Sequence, residues 1–312
     1  MSNKLIIDTD VGVDDAIALL MALADPNWEI IGITAVSGNV PLERVVRNIG
    51  IVLDAAGAQP IPFFRGAARP LLAEPVHADS VHGQDGLGDA GFRASSRTVA
   101  DQEHAALAIV RLARENPGAT LLALGPLTNV ALALSLEPEL PRLLKQTVVM
   151  GGAAYAQGNI TAVAEFNIYA DVEAAALVFE RGLNPIVLDW HTTLRTPVLW
   201  KDWEALLNAG PLGQQFVAPM TQALAERSRE HGREGMLWPD PLALAVLLDP
   251  QCATTYPARV TIDTSHGIAR GMTVIDTMRR NSLPFNATIV DSVDVGRFQQ
   301  LLERAFRLPC HL

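Results

Sequence analysis

Short β-branched and aliphatic runs alternate with longer stretches of helical periodicity through the first two thirds of the chain. This alternation narrows the fold more than any other feature. "KLIID" reads as a buried strand and "DDAIALLMALA" as the helix after it. "EIIGITAVS" and "PLERVVRNIGIVLDAAG" repeat the pair, and "IPFF" supplies a third strand. Further strands are expected in "ATLLAL", "QTVVM" and "NPIVLD", and helices in "DQEHAALAIVRLARENPG", "TNVALALSL" and "DVEAAALVFERG". The last of these runs into Gly182, a residue suited to the left-handed position just past a helix end. Alternation of this kind builds right-handed βαβ units. The expected class is therefore α/β, with an open, mainly parallel central sheet flanked by helices.

The final third changes character. "LWKDWEALLNAGPLGQQFVAPMTQALAERSREHGREG" reads as mostly helical, and "ARVTID", "MTVID" and "NATIV" as a late β excursion. No low-complexity linker or internal repeat divides the 312 residues, so one domain over 1–312 is expected. "EPVHADSVHGQDGLGDAG" is rich in Gly, Asp and His and lacks periodicity. It reads as a flap-like loop, the kind of segment that commonly carries function.

With 49% hydrophobic residues the chain can bury a large core. Its formal net charge of −10 argues against a nucleic-acid partner, because no basic stripe is available to neutralise phosphates. Cys252 and Cys310 have no metal-ligand spacing and fit a reducing compartment. Asp8 and Asp10 interrupt any apolar leader at the start. The uncharged stretch from Ala119 to Leu136 is long enough for a membrane span, but Gly125, Pro126 and Asn129 cut it. A strand, a turn and a helix are expected there, in a soluble cytoplasmic protein that meets no membrane.

Asp8, Asp10, Asp14 and Asp15 crowd into eight residues where the first strand ends and the first helix begins. Ligands of parallel sheets bind beyond the carboxyl ends of the strands, and a helix start favours negative charge. Gly12 lets the connection turn tightly. Capping that helix needs one aspartate rather than four. Converging carboxylates either rise in pKa or recruit a cation, and an all-oxygen set favours Ca²⁺ or Mg²⁺ over zinc. The cluster reads as a metal site.

"DTDVGVDDA" resembles the signature of the nucleoside hydrolases, the inosine–uridine-preferring family of N-ribosidases. "SGNV", "HGQDGLG", "GPLTN", "MGG", "GNITAVAEFNIYAD" and "DPLA" follow in family order, over roughly residues 4–245. The aspartate motif and "AEFNIYAD" are specific, whereas "GPLTN" and "MGG" alone are not. The resemblance implies the nucleoside hydrolase fold and hydrolysis of a small-molecule nucleoside to ribose and free base. It implies Ca²⁺ held by Asp10, Asp15 and Asp240 with the main-chain carbonyl of Leu124, and Asp14 as general base on a calcium-bound water. Asn39, Asn159, Glu165 and Asn167 would hold the ribose hydroxyls with Phe166 beside them, and Asn39 would join the catalytic set. Asp8 would orient the ligands. The flap bearing His82 would close near the base, although His82 could equally serve only a hydrogen bond inside a glycine-rich turn. A homodimer or homotetramer is also implied. The chemistry suits these residues: cleavage of an N-glycosidic bond builds oxocarbenium-like charge, which carboxylates and amide oxygens stabilise.

One position departs from the family pattern. Many members carry a histidine just before the last calcium-binding aspartate, where it protonates the departing base. Here "MLWPDPLA" places Pro239 there, and proline donates no proton. Three replacements are open. His231 could act as the acid, with Arg227 or Arg233 assisting. An aromatic residue, Trp238 or Trp190, could stack on the base. Or the leaving group could need no proton. Uracil leaves poorly without acid assistance, so purine or activated substrates are expected to be favoured over uridine. Two rivals are weighed beside the hydrolase. A calcium-dependent nucleoside-binding protein with lost activity fits the missing acid. A haloacid dehalogenase-type phosphatase fits Asp8 and Asp10 but leaves Asp14, Asp15, "AEFNIYAD" and "DPLA" unexplained. Neither a dinucleotide fingerprint nor a P-loop is present in the sequence.

Overall fold

The computed structural model describes the whole chain except Met1, Asp101, Ala156 and Asn281. Strand β1 (Asn3–Thr9) is an interior strand of a nine-stranded sheet, third from one edge, and is buried from Leu5 onward. Its side chains alternate between the two faces. Leu5 and Ile7 enter one apolar cluster and Ile6 the other, as the two-residue period of a strand requires. A strand covered on both faces needs apolar residues throughout, which is why "LII" carries no polar alternation.

Strands β2 (Trp28–Ala35) and β3 (Phe63–Arg65) extend the sheet on one side of β1. β4 (Thr120–Ala123), β5 (Gln146–Met150) and β6 (Ile186–Leu188) extend it on the other, all in parallel register. The strand order therefore reverses between β1 and β4, which opens a crevice at their carboxyl ends. The helix Val13–Ala24 follows β1 and is almost wholly buried. Leu19 and Leu20 are fully enclosed, each contributing roughly 1.5–3 kcal/mol relative to exposure. It packs in one cluster with Pro239–Leu248 and Val295–Phe306, while Ala105–Glu115, Thr128–Leu136 and Val172–Glu180 cover the opposite face. The helix expected from Asp101 begins at Ala105, and Asp101 itself lies outside the described residues.

The segment read as mostly helical contains the helices Trp200–Leu207 and Ala218–Glu230 with a π-helical turn, Gly213–Val217, between them. A two-stranded antiparallel clip, β7 (Val198–Leu199) with β8 (Gly235–Met236), brackets this insertion. Two-residue strands have no periodicity, so nothing in the sequence announces them. The late strands β9 (Ala253–Ile262), β10 (Thr273–Asp276) and β11 (Ala287–Val293) join the same sheet. β11 lies parallel to β6, with β9 antiparallel beyond it. The uncharged stretch 119–136 folds as β4, a turn and a helix. Among the described residues no helix is long and apolar enough to cross a membrane.

Candidate active site

The crevice between β1 and β4 collects the acidic cluster. Asp8 sits at the end of β1 and accepts hydrogen bonds on Oδ1 from the Thr34 hydroxyl at 2.6 Å and from Asn129 Nδ2 at 2.8 Å. It lies beneath the cavity, not in its wall, and burial pushes its carboxyl up to about 7. Asp15, in the first turn of the next helix, accepts the Gly12 amide at 2.8 Å and the Thr9 hydroxyl at 2.5 Å. That contact closes the helix start and fixes both carboxylate oxygens. The Asn39 backbone amide donates to Asp10 Oδ2 at 2.7 Å, and its side-chain Nδ2 donates to Asp15 Oδ2 at 3.0 Å. Asn39 thus ties the loop after β2 to both aspartates.

Asp240, near the start of the helix Pro239–Leu248, comes from the last third of the chain to the same point. Asp14, Asp15 and Asp240 each offer an oxygen, and these oxygens lie within 4.8 Å of one another. Asp10 is not one of this tight trio but stands beside it. Burial and the Asp15 charge hold the Asp10 carboxyl well above the usual carboxylate range. Burial raises Asp240 strongly too, reinforced by Asp14, Asp15 and Asp10, and it lifts Asp14 to about 6. Two oxygens in this group, Asp10 Oδ1 and Asp14 Oδ1, are buried without a hydrogen-bond partner. Like charges forced together in a dry site, with lone pairs left over, are what a divalent cation neutralises.

The Leu124 carbonyl, just past the end of β4, lies in the cavity wall and accepts from Asn167 Nδ2 at 2.6 Å, which leaves it a second lone pair. Asn167 also donates to the Met150 carbonyl at 3.2 Å. Glu165 caps the short helix Phe166–Ala170, accepting from the Asn167 amide at 2.9 Å and from Gly152 at 2.9 Å. Burial pushes it up to about 7. Asn159 Oδ1 accepts the Phe166 amide at 2.8 Å, so Asn159, Glu165, Phe166 and Asn167 form one bonded wall.

Asp14, Asn39, Leu124, Asn159, Glu165 and Asp240, with Phe166 and Asn167, line a cavity of about 340 Å³, within the range of small-molecule sites, and Asp8, Asp10 and Asp15 do not. His82 lines it from the flap, whose only helical turn is Asp79–His82. The flap approaches the helix Ala218–Glu230 so closely that a Cβ at Gly88 would lie 2.0 Å from the Met220 carbonyl. His231, the cap of that helix, stands exposed at the cavity mouth with Arg227 and Arg233.

Trp238 does not belong to this wall. It is fully buried, with its ring centroid 4.8 Å from that of Trp203. It precedes the helix bearing Asp240 and is turned inward to the core, while Pro239 and Asp240 face the cavity. Trp190, the other aromatic candidate, does line the cavity. His77 lines it too, though no motif marks it. Its place in the flap, five residues before His82, is the only sequence signal available.

The family model described as inosine-uridine preferring nucleoside hydrolase matches residues 5–300. The chain belongs to this family. As a nucleoside hydrolase it is an enzyme acting on N-glycosidic bonds, and the phosphatase alternative falls away. It is 38% identical over 277 residues to a probable uridine nucleosidase of Oryza sativa subsp. japonica, covering 88% of this chain and 85% of that protein. A plant nucleoside hydrolase structure superposes with a TM-score of 0.93 at 30% identity, over 99% of this nucleoside hydrolase and 100% of that chain. A purine-preferring ribonucleoside hydrolase from Gardnerella vaginalis gives 0.90 at 31% identity, over 97% and 98%. The relatives' names thus span both classes of base.

Proposed function

We propose that this nucleoside hydrolase, acting as one domain over its whole length, is a calcium-dependent N-ribohydrolase that favours purine nucleosides over uridine. The observation that carries the reading is the convergence of Asp14, Asp15 and Asp240 on one point with Asp10 beside them, and two buried oxygens unpartnered. The donors are all oxygen, as Ca²⁺ requires, and Asp10, Asp15, Asp240 and the Leu124 carbonyl would hold it. Bound there, the cation would supply positive charge that grips the sugar diol and acidifies a water. Asp14 has the accessible lone pair to take the proton from the attacking water. The wall of Asn159, Glu165 and Asn167 orients the ribose, and its oxygens, with Asn39, face the charge that develops on the ring.

The base preference follows from the other end of the cavity. Pro239 stands beside Asp240 and removes the usual proton donor, while Trp190 and Phe166 offer flat apolar surface to a bicyclic base. Uracil departs poorly without acid assistance. A cytoplasmic homodimer or homotetramer is the assembly that the family resemblance supports.

A panel of purine and pyrimidine nucleosides, scored by reducing-sugar release in calcium and in chelator, tests the reading. Uridine turned over tenfold better than inosine would remove the base preference. Calcium-dependent nucleoside binding without release of any sugar would return the binding-protein alternative.

A further inference from the structure

The charged groups of the cavity are sorted by sign. Its carboxylates, Asp14, Glu165 and Asp240, belong to the metal and ribose end. Arg227 and Arg233 stand exposed at the mouth, and neither guanidinium has a carboxylate partner among the described residues. Arg227 donates to the Ser80 carbonyl of the flap, which fixes its fork across the opening.

Each histidine that lines the cavity has its Nδ1 engaged by the backbone; that of His77 lies 2.8 Å from the Gly38 carbonyl. His231 Nδ1 lies 2.7 Å from the Arg227 carbonyl, which can only accept, so Nδ1 carries the proton. Only Nε2 of His231 is then left to meet a ligand, at a mouth where Arg227 and Arg233 also stand. His82 Nδ1 accepts the Val13 amide at 3.1 Å, so that ring carries its proton on Nε2 and, being neutral, offers a hydrogen bond but no transferable proton.

From this sorting we infer that the base leaves as an anion, held by the guanidinium of Arg227 with Arg233 behind it, and that no side chain protonates it. The inference rests on the ribohydrolase reading of the same cavity. In the step, the bond from C1′ to the base nitrogen breaks and its electron pair stays on the base. The water oxygen bonds to C1′, and its proton passes to Asp14. Solvent protonates the free base after release. Guanidinium N–H groups match the ring nitrogens and carbonyl oxygens over which an oxopurine anion spreads its charge. The substrate class is therefore ribosides of acidic aglycones, oxopurines above all. Cationic aglycones such as pyridinium are repelled.

The test compares inosine with p-nitrophenyl riboside, whose phenolate leaves unaided, in the wild type and in Arg227→Gln, Arg227→Lys and His231→Gln. Arg227→Gln is expected to lose about 10–100-fold in kcat on inosine and less than about threefold on the nitrophenyl riboside. Arg227→Lys should recover part of that loss. The alkaline side of the wild-type profile should stay flat, since a guanidinium does not titrate there. Equal losses on both substrates, a loss confined to KM, or an alkaline limb abolished by His231→Gln would overturn the inference and leave the ribohydrolase reading standing. A wild type that hydrolyses neither riboside in calcium would remove both.

Discussion

The backbone amide of Val13 donates to Nδ1 of His82 at 3.1 Å, joining the first turn of the first helix to the flap. Because the amide is a donor, the imidazole is neutral with its proton on Nε2, and burial pushes its pKa down to about 4. Nitrogen-detected NMR should show the Nε2–H tautomer unchanged between about pH 6 and 8. An imidazolium signal at the acid end of that range would contradict it. His82→Asn should cost roughly tenfold in kcat/KM, the worth of one hydrogen bond.

Asp14 combines the acidic cluster's cavity-facing position with a carboxyl that burial raises to about 6. Asp14→Asn keeps the shape and removes the base, so kcat should fall by about 10²–10⁴-fold or more with an unchanged circular dichroism spectrum. In the wild type, activity requires the ionised carboxylate and should be lost on acidification, at a pH below about 6 when calcium is bound, because the cation favours the ionised form. Retained turnover in Asp14→Asn would assign the base elsewhere.

Gly38 leaves no room for a side chain, since a Cβ there would lie 2.0 Å from Asp10 Oδ2 and 2.7 Å from the Pro126 ring. Gly38→Ala should therefore push Asp10 out of the cluster. Calcium affinity measured by calorimetry should weaken by about tenfold or more, because a lost or displaced ligand-supporting group has that scale of effect. Unaltered calcium affinity would separate Asp10 from the cation.

Stability should depend on pH with opposite signs in the two metal states. Burial raises Asp8 and Glu165 to about 7 and Asp14 to about 6, above their ordinary values. Such groups favour folding when protonated, so the stabilisation is full below the unfolded pKa values and is lost as pH rises through about 6 to 7. In chelator, Tm should rise as pH is lowered from about 8 to 5. In calcium the ionised cluster is favoured, and the trend should flatten or reverse. Identical profiles would argue against a bound cation.

Pro239 occupies the first turn of the helix bearing Asp240 and lines the cavity. Pro239→His restores a proton donor at that place and should raise kcat/KM for uridine by about tenfold or more, with a smaller change for inosine. An unchanged uridine rate would mean that the base does not depart past this residue.

Local physics made much of this protein readable in its sequence. The "KLIID" strand, the helix from "DDAIALLMALA" and the late β strands all appear where hydrophobic period and chain punctuation place them. The aspartate cluster was visible because its repulsion has no use in an ordinary turn. Tertiary structure alone decided the rest, because contacts between distant segments leave no period behind. It brought Asp240 beside Asp14 and Asp15, sent Trp238 into the core against Trp203, and put Trp190 and His77 in the cavity wall. It also set which nitrogen of His82 and of His231 holds a proton. That depends on whether an amide or a carbonyl faces the ring, and no side-chain pattern encodes it.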